Sequence, residues 1–276
     1  MKNLIDIFSK YILKYSNLKN TYNFSNKKQK YNLNTIIDEL IYISKSGVSW
    51  RLYRGPIKWN ALYYHFKLFI KFKILDCFYK YLLDKYLKKR FTTKLKYNLI
   101  DSTVFVNKYG IDLKGRNKQY RFKNTTKLSV ISDSQGIPIS MYIDKGSEHD
   151  STILLKHFDN FLIDTKTFKF KNHNRYKQYL LADSGYDSKK LFKLFTDKGY
   201  SFIIPQNKRN IKDDNLIRKF KCNQKNIYKK RIKVENLFCY LKNSNKRISH
   251  RYEKKSENFK GFILIGLIRI LFKKFN

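Results

Sequence analysis

The feature that most restricts the fold of this chain is a change in the spacing of its apolar residues near residue 97. Before that point, apolar side chains recur at every third or fourth position, which predicts helices. Beyond it, short β-branched segments alternate with helical ones, in the order three strands, helix, strand, helix, strand, helix. We therefore expect an all-helical domain at residues 1–95, followed by an α/β domain at residues 96–276 with helices on the faces of a mixed sheet.

The α/β part contains five predicted strands. The first is YNLIDSTVFVN, and the second and third lie within TTKLSVISDSQGIPISMYIDKG, where residues 133–136 supply the turn. The fourth lies within QYLLADSG and the fifth within YSFIIPQ. An antiparallel meander of three strands, followed by two strands that alternate with helices, predicts a ribonuclease-H-like mixed five-stranded sheet. In such a sheet the first and fourth strands are neighbours.

The helices before residue 96 are short, rich in lysine and separated by turns. One is expected to begin with Asn34 as its cap and to end at Gly47, and two more follow the segment GVSWRLYRGPIKW. A helix-turn-helix-like module of this kind is suited to docking on DNA. The alternative is a small helical cap domain that does not contact bases.

The net charge is strongly positive, because 60 lysines and arginines stand against 21 aspartates and glutamates, which gives +39. A chain with this charge favours a polyanionic partner, with nucleic acid first and an acidic membrane surface second. The three cysteines have no CxxC spacing, and the N-terminus does not resemble a signal peptide. The apolar run at residues 262–272 is too short to cross a bilayer and predicts a buried helix. We therefore expect a soluble intracellular protein.

Two aspartates stand out because each directly follows an apolar strand segment. Asp101 follows YNLI, and Asp183 follows QYLLA. If their strands are neighbours, the two carboxylates lie side by side and repel each other unless a cation binds between them. Oxygen ligands of this kind suit Mg²⁺. The alternative for each aspartate alone is that it caps the turn or helix that follows it.

A third acidic residue, Glu235, lies in the predicted helix KKRIKVENLFCYLKNS. Tyr228, Arg231, Glu235 and Lys242 are offset by 0, 3, 7 and 14 positions, which predicts one stripe along a helix. The residues expected to pack on the sheet form a separate stripe, Val234, Leu237, Phe238 and Leu241. Glu235 is thus expected to lie among basic side chains, beside a phosphodiester backbone. The alternative is an exposed helix face with pairing of Arg231 to Glu235.

These residues carry a resemblance to a known family. Tyr228-x2-Arg231-x3-Glu235-x6-Lys242 resembles the Y-R-E-K signature of DDE transposases of bacterial-type insertion sequences. IDSTVF and LADSGYDS are similar to the first and second catalytic strands of that family, and GSEHD and KRISHRYEKKSENF are similar to other segments of it. The likeness extends from about Thr35 to Leu271.

The resemblance implies a DNA transposase with Asp101, Asp183 and Glu235 as its catalytic and metal-binding triad, holding two Mg²⁺ ions that Mn²⁺ can replace. It implies cleavage at the ends of an insertion sequence and joining of the freed 3′-hydroxyl to target DNA. It also implies DNA contacts, a double-stranded DNA partner that includes terminal inverted repeats, a homodimer in the synaptic complex, no membrane partner, and a cytoplasmic, DNA-associated location. The residues expected to contact DNA are Tyr228, Arg231, Lys242, Arg247 and Arg251.

Two other functions stay open at this stage. One is a domesticated or inactive relative that binds DNA without cutting it, and the other is a structure-specific nuclease of the same fold that cannot join strands. Asp150 is expected to cap a helix or to support the catalytic residues, and Glu148 is the substitute candidate if Glu235 is not the third acid.

Overall fold

A computed structural model describes residues 2–15, 30–94, 96–159, 178–207 and 220–275. The chain forms two compact units. The helical unit comprises residues 1–86, 107–112 and 241–276, and the sheet unit comprises residues 87–106 and 113–240. The chain therefore leaves the helical unit after residue 86, rejoins it at residues 107–112, and returns to it from residue 241 onward. The functional division at residue 95 stays a prediction.

Helices and strands follow the predicted order. The helices are α1 (Lys2–Tyr15), α2 (Leu33–Ser46), α3 (Trp59–Lys71), α4 (Ile74–Lys94), α5 (Asp150–Asp159), α6 (Lys189–Asp197), α7 (Cys222–Tyr228), α8 (Ile232–Ser244) and α9 (Ser256–Phe275). The strands are β1 (Tyr97–Val106), β2 (Gly115–Asn117), β3 (Lys123–Ser132), β4 (Pro138–Lys145), β5 (Gln178–Leu181) and β6 (Tyr200–Ile203). None of the helices in the described ranges is long and apolar enough to span a membrane.

Helix α2 shows how local sequence sets the ends of a helix. Its cap is Asn32 rather than the expected Asn34, because the Asn32 side chain accepts a hydrogen bond from the backbone N–H of Asn34 at 2.8 Å. The helix ends at Gly47, whose backbone is left-handed with a φ of 75°. Between these ends the apolar stripe of α2 is buried, as its spacing predicts.

Helix α9 is the buried C-terminal helix predicted from the run at residues 262–272, all of which are buried. A helix that is apolar on every side needs partners on every side, and α2 and α3 of the helical unit supply them. The rings of Phe262 and Phe66 stack with centroids 4.7 Å apart. Arg269, inside this run, donates to the Ser244 carbonyl at 3.0 Å and to Asn245 Oδ1 at 2.6 Å.

The segment that precedes α9 contains a buried ion pair. Arg247 and Glu253 are each 6% exposed, and Arg247 Nε donates to Glu253 Oε1 at 3.0 Å. Arg247 Nη1 also donates to the Val48 carbonyl at 2.8 Å. Because both charges are buried and have lost their hydration, each is stabilised by the opposite charge of the other.

In the sheet unit, β3 lies between β4 and β1, and β5 lies between β1 and β6. The pairs β3–β4 and β1–β3 are antiparallel, whereas β1–β5 and β5–β6 are parallel. The short strand β2 pairs with the start of β3 and was not predicted. Helix α5 packs on β3 and β4, and α6 packs on β6. The ribonuclease-H-like α/β fold with flanking helices is therefore confirmed, as is the adjacency of the first and fourth predicted strands.

The buried ion pair in the helical unit yields a test of stability. Glu253→Ala should lower the free energy of unfolding by roughly 3–5 kcal/mol, because it leaves the Arg247 charge buried without a carboxylate. Glu257→Ala, at an exposed position in the first turn of α9, is the matched control and should cost about 0.5 kcal/mol or less. Urea unfolding measures both. Equal midpoints for the two variants would contradict the structural importance of the pair.

Candidate active site

The parallel pairing of β1 and β5 brings the two aspartates of the site together. Leu99 on β1 pairs with Leu181 on β5, and Asp101 and Asp183 each lie two residues farther along their segments. The carboxyl ends of adjacent parallel strands are where sheets of this class place their functional groups. The sequence prediction that these two residues lie side by side therefore agrees with the strand register.

Asp101 is largely buried, with its side chain 16% exposed. One carboxylate oxygen accepts a hydrogen bond from the Ser102 N–H at 2.8 Å, and the other accepts one from Arg231 Nη2 at 3.1 Å. Burial raises the pKa of the Asp101 carboxyl to about 6; Arg231 and the Ser102 N–H oppose this rise, while the Asp183 and Glu235 carboxylates add to it. The three predicted acids thus share one electrostatic environment.

Asp183 caps the short 3₁₀ turn Ser184–Tyr186, and its Oδ1 accepts a hydrogen bond from the Gly185 N–H at 2.8 Å. This bond fixes one oxygen of the carboxylate at the end of β5. The capping alternative and the functional interpretation are therefore both compatible with its geometry. A Cβ atom at position 185 would lie 3.0 Å from Asp183 Oδ1 and 3.6 Å from Asp150 Oδ2, so glycine at this position leaves room for two carboxylates.

The segment that carries Glu235 is not the single helix that the sequence predicted. Helix α7 ends at Tyr228, a 3₁₀ turn covers Lys229–Arg231, and α8 begins at Ile232. The 3₁₀ turn contacts β1, so the break directs Arg231 toward Asp101. Within α8 the predicted packing stripe is buried, with Val234 and Leu241 at 0% exposure.

Arg231 nevertheless contacts the predicted site residues on both sides of the break in the helix. Its Nη1 donates to the Tyr228 hydroxyl at 3.0 Å, and its Nη2 lies 3.6 Å from a Glu235 oxygen in addition to the contact with Asp101. Burial disfavours the charged guanidinium, but Asp101 and Tyr228 outweigh this effect and raise the pKa of Arg231 above its ordinary value. Arg231 is therefore a fixed positive charge between Asp101 and Glu235, whose own side chain is 54% exposed.

A second network, which sequence reasoning did not predict as a unit, joins the start of α5 to the sheet. Asp150 Oδ1 accepts a hydrogen bond from Ser102 Oγ at 2.5 Å and one from Lys127 Nζ at 3.0 Å. Lys127 Nζ also donates to the Glu148 carbonyl at 2.8 Å. Asp150 therefore supports the residue next to Asp101, which agrees with the supporting role considered for it. A lysine inside the apolar strand sequence TTKLSVIS was the signal that could have indicated this network.

Tyr186 is the buried residue on which both networks converge. Its side chain is 1% exposed. Burial, followed by the carboxylates of Asp150, Asp101 and Asp183, raises the pKa of its hydroxyl well above the ordinary value. The hydroxyl therefore stays protonated and places a neutral group among three carboxylates.

A polar cavity of about 620 Å³ opens beside Asp183. It is lined by residues 116–119, 146–150 and 183–185, together with Lys127 and Asn207. Arg116, Lys118 and Lys127 line it together with Glu148, Asp150 and Asp183, and Lys127 is paired with Asp150, so the cavity is polar with charges of both signs next to the acids.

The other predicted DNA contacts have different surroundings. Arg247 is bound to Glu253, and Arg251 is fully buried, with hydrogen bonds to the side chain and carbonyl of Asp112. Their guanidinium groups are held inside the helical unit, so we assign both a structural role in place of the expected DNA contact. Lys242 lies half-buried near the end of α8. Glu148, the substitute for Glu235, lies 3.5 Å from Lys156.

Comparison with protein families agrees with this geometry. Residues 95–271 match the family described as the transposase DDE domain. The chain belongs to this family. The matched range contains all three predicted acids as well as Ser102, Lys127 and Asp150, and it covers well over half of the sequence. A comparison with curated proteins returned no match.

Membership of the DDE transposase family makes this an enzyme of the nuclease and transposase kind, with DNA as its class of substrate. The recognition made from the sequence is thereby confirmed at the level of the family. The specific roles of the individual residues stay predictions, and so does the composition of the metal site.

The site is chemically suited to a divalent cation. Its available ligands are carboxylate oxygens, which Mg²⁺ prefers. Within the described ranges, no three His, Cys, Asp or Glu side chains converge as a complete metal cage, and Arg231 contacts both Asp101 and Glu235. Burial, with the Asp183 and Glu235 carboxylates, raises the pKa of Asp101, so a cation at this position would stabilise the charged form of that carboxyl.

The electrostatic cost at Asp101 predicts a pH-dependent gain in stability for Asp101→Asn. The pKa is about 6 in the folded protein against an ordinary value of 3.8, so the folded state holds this proton more tightly than the unfolded chain. The parent should therefore lose about 3 kcal/mol of stability from this group as the pH rises through that interval. Without divalent cations, Asp101→Asn should exceed the parent in stability by up to about 3 kcal/mol near neutral pH.

Urea unfolding as a function of pH measures this difference. The advantage of the asparagine variant should vanish below about pH 3, where the parent carboxyl is protonated in both states. Asp38→Asn, at an exposed position of α2, controls for the loss of one negative charge. A constant difference between Asp101→Asn and the parent at every pH would contradict the assignment of the cost to ionisation of Asp101.

Proposed function

We propose that this DDE family member is an active transposase that cuts DNA at the ends of an insertion sequence and joins the freed 3′-hydroxyl to target DNA. The observation that carries the proposal is the convergence of acids in a chain of net charge +39. Asp101 lies within β1, Asp183 follows the parallel neighbour β5, and Glu235 is linked to Asp101 through Arg231. Carboxylates in so basic a chain are unfavourable for simple DNA binding, whereas phosphodiester chemistry requires them.

Asp101, Asp183 and Glu235 would hold two Mg²⁺ ions, with Mn²⁺ as a substitute. When bound, such ions lower the pKa of an attacking water or 3′-hydroxyl and stabilise the leaving oxygen of an in-line displacement. The Gly185 N–H orients Asp183 and the Ser102 N–H orients Asp101. Arg231 neutralises Asp101 and Glu235 before the cations bind, and it becomes available to a DNA phosphate once they do.

The protein surface near the acids would position the DNA. Arg116 and Lys118, on the wall of the cavity beside Asp183, are placed to contact the backbone of the strand that is cut. Tyr228 and Lys242 remain proposed contacts to the DNA end, and the helices of residues 1–95 remain a proposed DNA-binding domain. Synapsis of two ends favours a homodimer, and the protein would act on double-stranded DNA with which it is associated in the cell.

The triad is tested by replacing each carboxylate with its amide. Asp101→Asn, Asp183→Asn and Glu235→Gln should each reduce Mg²⁺-dependent cleavage and strand joining by several orders of magnitude, because each removes a charge that holds the cations. Binding to element-end DNA should be unchanged or tighter, since fewer carboxylates face the phosphates. The substrate is DNA that carries the ends flanking the reading frame, and joined products are scored on gels.

The outcomes distinguish the proposed function from its alternatives. Glu257→Gln, an exposed glutamate of α9, is the matched control and should cut and join at the parental rate. Cleavage without any joined product would favour a nuclease, and binding without cleavage would favour an inactive relative. Near-parental cleavage by Glu235→Gln would remove Glu235 from the triad and make Glu148 the next residue to test.

Cation binding should also be visible without DNA. Titration with Mg²⁺ or Mn²⁺ should raise the thermal midpoint of the parent, by an amount equivalent to about 2.7 kcal/mol at a hundredfold excess over Kd. Asp101→Asn should show little of this shift, while Glu257→Gln should show all of it. A chelator should abolish cleavage, and Mg²⁺ or Mn²⁺ but not Ca²⁺ should restore it. Equal thermal shifts in the parent and in Asp101→Asn would place the cation elsewhere.

A further inference from the structure

A second surface, in the helical unit, has features of a nucleic-acid contact that the proposed active site does not use. Residues 107–112 lie against residues 250–255, and together they carry three exposed apolar side chains, Tyr109, Ile111 and Tyr252. We call these three residues, with the neighbouring Lys108 and His250, the tyrosine platform. All of them belong to the helical unit.

The backbone under the platform is held by regular hydrogen bonds. Asn107 forms a parallel bridge with Arg251. The Lys108 N–H donates to the Arg251 carbonyl at 3.2 Å, and the Ile111 N–H donates to the Lys254 carbonyl at 2.9 Å. The two segments therefore form a short ladder, and the side chains that project from it have a defined position.

Arg251 lies buried beneath this ladder and stabilises it through hydrogen bonds. Its guanidinium is fully buried and donates to the Asp112 carboxylate and, at 2.7 Å, to the Asp112 carbonyl. Asp112 in turn accepts hydrogen bonds from the Ser256 N–H at 3.0 Å and from Ser256 Oγ at 2.7 Å, at the first residue of α9. A Cβ at Gly110 would lie 2.6 Å from Arg251 Cζ, so the turn can approach the arginine only with glycine at that position.

The platform exposes its aromatic rings in an ordered arrangement. Tyr109 is 61% exposed, Ile111 is 64% exposed and Tyr252 is 37% exposed. The rings of Tyr109 and Tyr252 have centroids 6.1 Å apart, and the His250 ring is also 6.1 Å from Tyr252. Lys108 Nζ lies 5.5 Å from the centroid of the Tyr252 ring. The buried Arg251, paired with the partly exposed Asp112, thus holds a ladder whose large apolar side chains face water, which indicates that a partner covers them.

The charge around the platform favours an anionic partner. Both acidic residues of these segments are matched to buried arginines, Asp112 to Arg251 and Glu253 to Arg247. The lysines Lys108, Lys254 and Lys255 are exposed. Lysine is depleted at protein–protein interfaces, whereas aromatic rings among basic side chains are the usual means of binding single-stranded nucleic acid.

We propose that the tyrosine platform binds unpaired bases of DNA, with Tyr109 and Tyr252 stacking on bases and the surrounding lysines contacting phosphates. The partner is a single-stranded or locally opened segment, because the bases of an intact duplex do not present their faces. This site goes beyond the proposed cleavage and joining chemistry, since it uses none of the acids and needs no cation.

The experiment measures binding of the full-length protein to fluorescent oligothymidine of about 20 nucleotides and to a blunt duplex of equal length, in a chelator and at one fixed salt concentration. Each of Tyr109→Ala and Tyr252→Ala should weaken oligothymidine binding at least about fivefold and should change duplex binding much less. Tyr240→Ala is the matched control, because Tyr240 is 38% exposed, much like Tyr252, and lies outside both the tyrosine platform and the proposed DNA-binding helices of residues 1–95. Tyr252→Phe keeps the ring and should bind like the parent.

Three outcomes would overturn the proposal. The first is oligothymidine binding by the platform variants that equals that of Tyr240→Ala, and the second is an equal loss for single strand and duplex. The third is unchanged DNA binding with an altered sedimentation coefficient, which would make the platform a protein interface.

If an alanine variant does not fold, Tyr109→Leu and Tyr252→Leu retain apolar bulk without the ring and must show the same loss. Asp101→Asn should bind oligothymidine like the parent, so failure of the cleavage chemistry would not be mistaken for failure of the platform.

Discussion

The ion pair between Arg231 and Asp101 is the interaction on which the candidate active site depends. The pairing of β1 with β5 forces two carboxylates toward the same edge of the sheet, and burial makes their charge costly. Arg231 offsets part of that cost, and the break between α7 and α8 allows it to reach Asp101. The same arginine contacts Glu235 and Tyr228, so one guanidinium links the last segment of the sheet unit to its first strand.

The acids are supported from more than one element of the sheet unit. Asp150 at the start of α5 accepts hydrogen bonds from Ser102, the residue next to Asp101, and from Lys127 on β3, while Tyr186 ends the turn that Asp183 caps. Loss of any one of these contacts would leave the carboxylates in the site but would position one of them less firmly. The site therefore brings like charges together beside a largely buried carboxylate, which a bound cation would stabilise.

Positive charge in this protein has two separate physical roles. Arg247 and Arg251 are buried and bind acids, so they build the segment before α9, while exposed lysines in the same region stay on the surface. The net charge of +39 therefore overstates the number of cations available to DNA. Arg251 also fixes the segment that carries Tyr109 through its hydrogen bonds to Asp112, and Tyr109 and Tyr252 remain exposed beside it.

The sequence by itself determined the order of helices and strands and the class of sheet, because these depend on residues close together in the chain and on apolar spacing. It also predicted the three acids, whose catalytic roles stay a prediction. It also indicated the pairing of Arg231 with Glu235, which are four residues apart. The tertiary structure alone decided the contact of Arg231 with Asp101, the support of Ser102 by Asp150 and Lys127, and the burial of Arg251. These features join residues that are distant in sequence. An arginine can pair with a carboxylate in the interior or with a phosphate at the surface, and the packing that decides between the two is not encoded in any local pattern.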